Sequence, residues 1–405
     1  MKPSPHQPET LSSSPNHLSR MCTPSPWVAL IFIALGLAAL APAQTFTTFH
    51  NFTGSGGREP KAGVIQDSAG NIYGTTLLGG DLNCENGCGV VYLMNAAGKE
   101  RVLHRFSGSD GMDASTPVAR DGAGNIYGTT WYGGSARYGT AFKIDAGRKE
   151  TALHDFSGGS DGCLPSQGLV SNKAGDWYGT TANTYCNYSY VGTIFEIDSA
   201  GKYTLLHSFS GWDGAYPGSG HLTIDLAGNL YGVTTSGGAY GEGTLYELSA
   251  KGKFSVLYSF KGGTSDGCGP WGSVVRDDSG NFYGTTYGCG SKDYGTVWKV
   301  SNTGKENILH NFVGGTVDGC NPYAGVARDS KGNLYGATTY CGTSDYGTLY
   351  QLSAKGKLTL LHSFGTETDG IYPYGEVLRT SNGALLGTAG YGGTYAYGTV
   401  WKYVP

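Results

Sequence analysis

Two kinds of titratable side chain recur along the chain in step with one another. Histidine stands in a Leu-His-x-Phe motif at six places and tyrosine at a seventh: His50, His104, His154, His207, Tyr258, His310 and His362. Six aspartates, each followed by glycine, recur with them: Asp110, Asp161, Asp213, Asp266, Asp318 and Asp369. A catalytic group is usually unique in a chain, so we expect the histidines to serve packing and hydrogen bonding. We expect the aspartates to close turns, with calcium binding by the carboxylates as the alternative.

Residues that break the repeat are better candidates for chemistry. At one position of the repeat, four copies have a small residue: Gly63, Gly168, Ser273 and Gly325. The fourth copy has His221 there and the seventh has Glu376. Imidazole and carboxylate can act as base and acid, which suits a hydrolase or a lyase. Drift at a solvated position is the alternative, because the chain has no Gly-x-Ser-x-Gly, His-Glu-x-x-His or phosphate-loop motif.

Aromatic side chains in the predicted loops form the third candidate set. One group precedes the first strand of a repeat: Trp212, Tyr216, Trp271, Tyr323, Tyr372 and Tyr374. The other group follows the second strand: Trp131, Tyr132, Tyr287, Tyr340, Tyr391 and Tyr395. Such rings suit contacts with sugars or proteins, and packing between repeats is the alternative. We expect Trp212, Tyr216, Tyr372 and Tyr374 to bind the ligand.

One unit, repeated seven times, must position all of these residues. The Leu-His-x-Phe motifs are 54, 50, 53, 51, 52 and 52 residues apart, and Gly-Asn-x-Tyr-Gly-Thr-Thr and Tyr-Gly-Thr-x-aromatic motifs keep the same period. Each unit predicts four strands; in the sixth copy they are residues 324–328, 333–339, 347–352 and 358–364. Glycine at 69 of 405 positions argues against long helices. These features predict an all-β, seven-bladed β-propeller of four-stranded blades.

The two ends of the chain indicate how the ring closes. The last copy lacks a Leu-His-x-Phe strand, whereas residues 45–52 supply an extra one before the first copy. We expect this N-terminal strand to complete the last blade, because closure removes exposed sheet edges. Residues 28–40 are apolar and precede an Ala-Pro-Ala site, which is typical of a secretory signal peptide. The expected organisation is a signal peptide over residues 1–43 and one seven-repeat domain over residues 44–405, with no C-terminal anchor.

The eight cysteines after residue 43 allow 105 pairings, but the repeat selects one. Copies three, five and six each have one cysteine before the first strand and one after the second. Because both positions flank the same hairpin, we expect Cys163–Cys186, Cys268–Cys289 and Cys320–Cys341, with Cys84–Cys88 as a local pair. Export would supply the oxidising compartment. Zinc binding by the cysteines is the alternative, but a zinc site needs four convergent ligands and these pairs lie in different repeats.

The repeat unit resembles a known family. Residues 60–76 and 322–338 follow the pattern Pro-x-x-Gly-Val-x-x-Asp-x-x-Gly-Asn-x-Tyr-Gly-Thr-Thr, with small departures. With the Tyr-Gly-Thr and Leu-His-x-Phe motifs, this pattern resembles the GloVer tandem-repeat family of exported bacterial proteins and, more loosely, NHL-type propeller repeats. The resemblance covers all seven copies and implies an extracellular or envelope location, but no established activity.

The function that we expect is a secreted or periplasmic binding module that uses its aromatic loops. Its partner would be a glycan or an envelope protein, and we expect a monomer without cofactor or metal. A net charge of −4 argues against nucleic acid. A hydrolase or lyase with a site at the channel mouth and a purely structural envelope protein remain as alternatives, because propellers support unrelated activities.

Overall fold

Seven small antiparallel sheets, one for each repeat, make up the computed structural model of this protein. The structure describes residues 44–80, 84–183, 186, 191–365 and 368–405. The predicted signal peptide lies outside the described residues. No helix occurs among the described residues, and none there could span a membrane. The prediction of a seven-bladed β-propeller is confirmed.

Each blade has four strands, and in blades 1 to 6 they occur in chain order from the central channel to the rim. The innermost strands are Ile65–Gln66, Ala119–Arg120, Val170–Ser171, Thr223–Ile224, Val275–Arg276, Ala327–Arg328 and Leu378–Arg379. The second strands are Ile72–Thr76, Ile126–Thr130, Trp177–Asn183, Leu230–Ser236, Phe282–Thr286, Leu334–Thr338 and Leu385–Ala389. The third strands are Val90–Met94, Thr140–Ile144, Thr193–Ile197, Thr244–Leu248, Thr296–Val300, Thr348–Leu352 and Thr399–Val404. The outer strands of blades 1 to 6 are Glu100–Arg105, Glu150–Asp155, Tyr203–Ser208, Phe254–Ser259, Glu306–Asn311 and Leu358–Ser363.

The outer strand of blade 7 comes from the other end of the chain. Thr45–Asn51 pairs with Thr399–Val404, with Thr45 opposite Val404 and Asn51 opposite Thr399. Phe46 stacks on His362 of blade 6 at 3.6 Å between ring centroids. Phe52, which follows the strand, is fully buried. The N-terminal strand therefore closes the ring as predicted and gives blade 7 its fourth strand.

Short extra strands extend the blades on one side of the ring. In blades 3 and 4 they pair with the second strand, and in blades 5 and 6 they form two-stranded ribbons. Their bounds are Cys163–Pro165, Ala215–Pro217, Gly267–Cys268, Gly288–Cys289, Gly319–Cys320 and Tyr340–Cys341.

The repeated sequence motifs explain the packing inside a blade. The second strands are almost wholly buried, and their glycine lies opposite the aromatic residue of the third strand, as Gly128 lies opposite Phe142. A Cβ at Gly128 would lie 2.6 Å from Cζ of the buried Phe142 ring. Glycine is therefore needed there, and the two motifs form one packing unit. Large apolar side chains between adjacent blades complete the core.

The repeated histidines and aspartates pair with each other. In five of the six histidines Nε2 lies 2.8 to 3.1 Å from the aspartate that follows: His104–Asp110, His154–Asp161, His207–Asp213, His310–Asp318 and His362–Asp369. His50 instead pairs with Glu100 at 3.1 Å. Tyr258 replaces histidine and donates its hydroxyl hydrogen to Asp266 at 2.7 Å. The aspartates also accept backbone N–H groups of their own turn, as Asp110 does from Ser107 at 2.8 Å. Both residue types are thus used to fix the outer strand and its turn.

Four disulfides join the cysteines in the pairs that the repeat alignment predicts. The Cα–Cα separations are 5.4 Å for Cys84–Cys88, 6.1 Å for Cys163–Cys186, 5.3 Å for Cys268–Cys289 and 5.5 Å for Cys320–Cys341. Cys268 and Cys289 also lie near Glu242, in a group of three metal-ligating residue types. Both thiols are consumed by the disulfide, so this group is not a zinc site.

The ring has two unlike faces. The loop face consists of the segments that lead into the innermost strands and those that follow the second strands. The short-turn face consists of tight hairpin turns, in which Gly124 N–H donates to the carbonyl oxygen of Asp121 and Gly332 N–H to that of Asp329. Longer and more variable segments lie on the loop face, which is where a ligand site is expected on a rigid scaffold.

Candidate functional site

The position where His221 and Glu376 break the repeat lies at the centre of the ring. This position lies two residues before the first residue of each innermost strand. Glycine occupies it in blades 1, 3 and 6. A Cβ at Gly63 of blade 1 would lie 3.1 Å from Cβ of Glu376. Because these neighbours are small, the channel is narrow at this level, and side chains from blades 4 and 7 can meet across it.

His221 and Glu376 do meet. Nδ1 of His221 lies 3.2 Å from Oε2 of Glu376, and the two side chains are 46% and 20% exposed. The residues are far apart in sequence and stand on blades separated by two others. The structure therefore brings together the two residues that the sequence proposed as an acid–base pair.

Ser273 of blade 5 joins the pair, a role that its sequence position did not reveal. Its N–H donates to Oε1 of Glu376 at 2.8 Å, and its Oγ accepts the backbone N–H of His221 at 2.6 Å. The same Oγ lies 3.0 Å from Nδ1 of His221. In the sequence, Ser273 is simply another small residue at a position that is glycine in three other copies. Its hydroxyl group was the only sequence signal that set it apart from them. The three side chains form a bridge across the channel, which we call the channel bridge.

The electrostatics of the channel bridge favour a charged pair. Burial opposes protonation of His221, but the charge and hydrogen bond of Glu376 outweigh it and raise the pKa of the imidazole. Burial likewise opposes ionisation of Glu376, but His221 and the hydrogen bonds of Ser273 lower the pKa of that carboxyl. In both residues, the charge of the partner is the largest cause that favours the ionised form. Both shifts favour the ionised pair, in which Nδ1–H of His221 points to Glu376. No residue that the structure describes bonds to its Nε2.

The channel bridge separates two cavities. The first, about 320 Å³, opens on the loop face and includes Glu376, Trp131, Tyr323 and Tyr374 in its lining. We call it the loop-face pocket. The second, about 710 Å³, includes residues of six innermost strands together with His221 and Glu376 in its lining. We call it the channel cavity. Glu376 contributes to both, whereas His221 lines only the channel cavity.

Aromatic rings from blades 4 to 7 form a continuous array beside the loop-face pocket. Trp271 packs against Tyr216 at 6.0 Å and stacks on Tyr323 at 5.1 Å between centroids. Tyr323 meets Tyr374 at 5.6 Å, and Tyr374 meets Tyr372 at 6.3 Å. The half-buried rings have one side supported by neighbours, which makes the array rigid.

Blade 1 adds charged groups to the edge of the pocket. Nζ of Lys61 lies 3.1 Å from Oε2 of Glu59 and 5.8 Å from the ring centre of Tyr374. Burial lowers the pKa of Lys61, but hydrogen bonds to Tyr391 and Glu59 exceed this effect and raise it. Ser115, Ser166 and Ser219 also line the pocket, and the buried hydroxyl of Ser166 donates to the carbonyl oxygen of Pro217 at 3.3 Å. The sequence contained no signal for these contributions, because lysine and serine are ordinary loop residues.

The backbone holds the first loop segments in an unusual conformation. Six non-glycine residues at the same position of their blades have φ between 54° and 61°: Glu59, Asp113, Leu164, Tyr216, Asn321 and Tyr372. The N–H of Tyr216 donates to Val191 of the preceding blade, and that of Tyr372 donates to Tyr346. Such a conformation costs about 1–3 kcal/mol for each residue and persists only where the surroundings enforce it. Two predicted contact residues are thus held in place by their backbone.

The four predicted ligand-binding aromatics have different surroundings. Tyr374 lines the loop-face pocket. Tyr216 and Tyr372 belong to the aromatic array. Trp212 is 85% exposed and, within the described part of the chain, has no ring contact and lines neither cavity.

Comparison with solved structures finds similar folds at low sequence identity. The extracellular domain of a protein assigned as a one-component system from B. thetaiotaomicron shares 11% identity over 88% of this chain and 40% of that one, with a TM-score of 0.53. A gluconolactonase from Xanthomonas campestris shares 14% identity over 90% of this chain and 92% of that one, with a TM-score of 0.46. A luciferin-regenerating enzyme shares 14% identity over 71% and 90%, with a TM-score of 0.43. These likenesses concern the fold alone.

Sequence comparison identifies the family of the chain. No curated protein matches it. The family model described as the Gloeobacter/Verrucomicrobia repeat matches residues 37–226 and 220–405, which together include all seven blades. The resemblance inferred from the repeat motifs is therefore confirmed, and the chain belongs to the Gloeobacter/Verrucomicrobia repeat family.

Proposed function

We propose that this protein is a secreted or periplasmic glycan-binding module whose ligand occupies the loop-face pocket and extends over the aromatic array. The observation that carries the proposal is the combination of a concave pocket of about 320 Å³ with aromatic residues and three serines in its lining. Sugar rings have apolar faces that stack on aromatic side chains and hydroxyl groups that need hydrogen-bond partners. A pocket of this volume suits one or two sugar units.

A glycan fits this site better than an envelope protein does. Stable protein interfaces bury about 800 Å² on each partner and centre on well-packed residues. The loop face instead has a small concavity beside supported rings, with Lys61 and Glu59 already paired to each other at its edge. The ligand therefore needs no strong charge. A monomeric protein with this site would contact an extended chain of sugars along blades 4 to 7.

The four predicted aromatics have graded roles in this proposal. Tyr374 contacts the sugar in the pocket, and Tyr216 and Tyr372 contact further units along the array. Trp212, because of its exposure, contacts a ligand only where the glycan extends past the array. We therefore expect Trp212→Ala to have a smaller effect than Tyr374→Ala.

A glycan array followed by titration calorimetry tests the proposal. The Tyr323→Ala, Tyr374→Ala double variant should bind the selected glycan about 5- to 150-fold more weakly, because each of the two lost stacking contacts is worth about 0.5–1.5 kcal/mol. Tyr240→Ala is the matched control, since this ring is 57% exposed and lines neither cavity. Unchanged affinity in the double variant would exclude the pocket. Failure of every glycan to bind would favour the purely structural class.

A hydrolase or lyase is the second candidate function, and the channel bridge is the observation that favours it. A carboxylate at Nδ1 orients the imidazole and supports proton transfer at Nε2, which is the arrangement a general acid–base requires. The test is a screen of ester, lactone and polysaccharide substrates with the wild type and with His221→Gln. Turnover that is lost in the folded variant supports catalysis, whereas turnover that survives excludes His221.

The proposed location rests on the disulfides and on the predicted signal peptide. Four disulfides fit an oxidising compartment. We propose that residues 1–43 are removed on export and that residues 44–405 form one domain. N-terminal sequencing of the exported protein should start at Gln44. Recovery of an uncleaved protein in the cytoplasm would contradict this.

A further inference from the structure

We propose that the channel cavity is a second ligand site, which binds a small organic acid with its carboxylate on His221 and its aliphatic body along the channel wall. The site lies on the side of the channel bridge away from the loop-face pocket. It does not depend on the glycan-binding proposal, because among the described residues the two cavities share only Gly63, Pro117 and Glu376, and the aromatic array does not line the channel cavity. Its volume of about 710 Å³ is within the usual range for small-molecule sites.

The wall of the cavity is aliphatic, although it borders open space. The innermost strands contribute six partly exposed residues to the lining: Ile65, Ala119, Val170, Val275, Ala327 and Leu378. These side chains come from six different blades, so they surround the channel. Such aliphatic groups are partly exposed to water around a concave space. Binding of an apolar ligand removes their surface from water, which lowers the free energy. The wall therefore fits the hydrocarbon part of a ligand.

The floor of the cavity has one polar group available to a ligand. His221 is 46% exposed, its Nδ1 is engaged by Glu376 and Ser273, and it lines the channel cavity. Protonated imidazole has a donor at both nitrogens. Nε2–H is thus left to donate to an acceptor in the cavity, and a carboxylate is the acceptor that also complements the positive charge.

The mouth of the cavity carries further positive groups. Arg120, Arg328 and Arg379 belong to its lining. Each guanidinium lies over a tyrosine ring of the preceding blade, at 5.4 to 5.7 Å from the ring centre. In the described residues none of the three forms an ion pair within 4.0 Å, so the arginines can attract an anion to the mouth.

Two carboxylates also line the cavity, and both are occupied. Asp67 accepts hydrogen bonds from Asn71 and from the hydroxyl group of Tyr73. Glu376 is engaged by His221 and Ser273. Neither offers a free charge to an amine, whereas the imidazole and the arginines offer donors to an acid. These arrangements favour an anionic ligand over a cationic one.

Titration calorimetry with sodium hexanoate tests the inference on the full exported chain. We expect saturable binding of hexanoate, binding at least tenfold weaker for hexanol, and no binding of hexylamine. The affinity should fall as the pH rises through the pKa of His221, by up to tenfold for each unit. Equal affinity for hexanol and hexanoate, or no saturable binding of hexanoate, would overturn the proposal.

Two variants separate the floor from the wall. His221→Phe removes the donor and should abolish the preference for hexanoate over hexanol. Val275→Asp leaves the channel bridge intact and should lower hexanoate affinity at least tenfold through the wall. Tyr240→Ala is the control, and hexanoate should shift the ¹⁵N resonance of Nε2 of His221 in this variant as in the wild type. An unshifted resonance, or full affinity in Val275→Asp, would place hexanoate elsewhere and refute the site.

Discussion

Ring closure by the N-terminal strand can be measured with a control that the repeat itself provides. Phe52 follows the outer strand of blade 7, and Phe106 follows that of blade 1. Both are fully buried. Their backbone N–H groups donate to Gly398 and Gly89, each at 3.1 Å. Their rings also have equivalent neighbours, Tyr92 at 5.1 Å and Phe142 at 5.2 Å between centroids. The main difference is that the strand before Phe106 follows its own blade directly along the chain, whereas the strand before Phe52 joins blade 7 from the other end of the chain.

We expect Phe52→Ala and Phe106→Ala to destabilise the protein equally. Truncation of a buried phenylalanine costs about 3–5 kcal/mol through lost transfer energy and the cavity left behind. With an unfolding entropy of about 2.1 cal/mol/K for each residue, a loss of ~4 kcal/mol lowers the Tm by roughly 5 °C for residues 44–405. Calorimetry of both variants in the same buffer gives the comparison. A normal Tm for Phe52→Ala beside a lowered Tm for Phe106→Ala would refute closure by this strand.

A circular permutant extends this test. In blade 6 a turn over residues 353–357 joins the third strand to the outer strand. The same turn placed between Pro405 and Gln44, with a new start at Thr53, would make blade 7 continuous. We expect the permutant to keep the Tm of the parent, because Thr45 already lies opposite Val404. The chain that starts at Thr53 and lacks the strand should melt well below Phe52→Ala, since it also loses the stacking of Phe46 and the whole outer ladder.

Three further predictions concern stability. Replacement of Cys320 and Cys341 by serine should lower the free energy of unfolding by about 3 kcal/mol, because the bridge closes a loop with a sequence separation of 21 residues. Peptide mapping without reduction should recover all four pairs within their own repeats. A bridge between repeats would contradict the structure. Burial and the nearby charge of Asp266 raise the pKa of Glu306 to about 7. The folded state therefore keeps the carboxyl proton of Glu306 while the unfolded state releases it between about pH 4.5 and 7. Stability falls over that range by about 1–2 kcal/mol, because solvent partly screens this half-buried group. Glu306→Gln should remove this loss and raise the Tm at pH 8, whereas the exposed Glu85→Gln should not; equal pH profiles for Glu306→Gln and wild type would exclude the effect. Gly128→Ala should cost about 1–3 kcal/mol because its Cβ would meet Phe142, and Gly122→Ala, with open space around its Cβ, should leave the Tm unchanged.

The sequence by itself determined the architecture because the decisive contacts are local and repeated. Each blade is a set of hairpins whose strands are neighbours along the chain. Alternating burial and glycine turns therefore specify strand order and register seven times over. The cysteine pairs and the closing strand could be inferred for the same reason: each is a departure from a repeat whose spacing is otherwise constant. The role of the repeated histidines was also accessible, since their aspartate partners follow within eight residues.

Only the tertiary structure decided how the blades combine at the centre. His221, Ser273 and Glu376 stand on three blades, and their contact depends on how narrow the channel becomes when glycines of other blades occupy the same level. No local pattern encodes that width, because it is set by the packing of all seven blades at once. The same applies to the aromatics: Tyr374 lines a pocket while Trp212 is exposed, although both precede an innermost strand. Side chains with equal positions in the repeat differ in function here because the ring gives each one different neighbours across the axis.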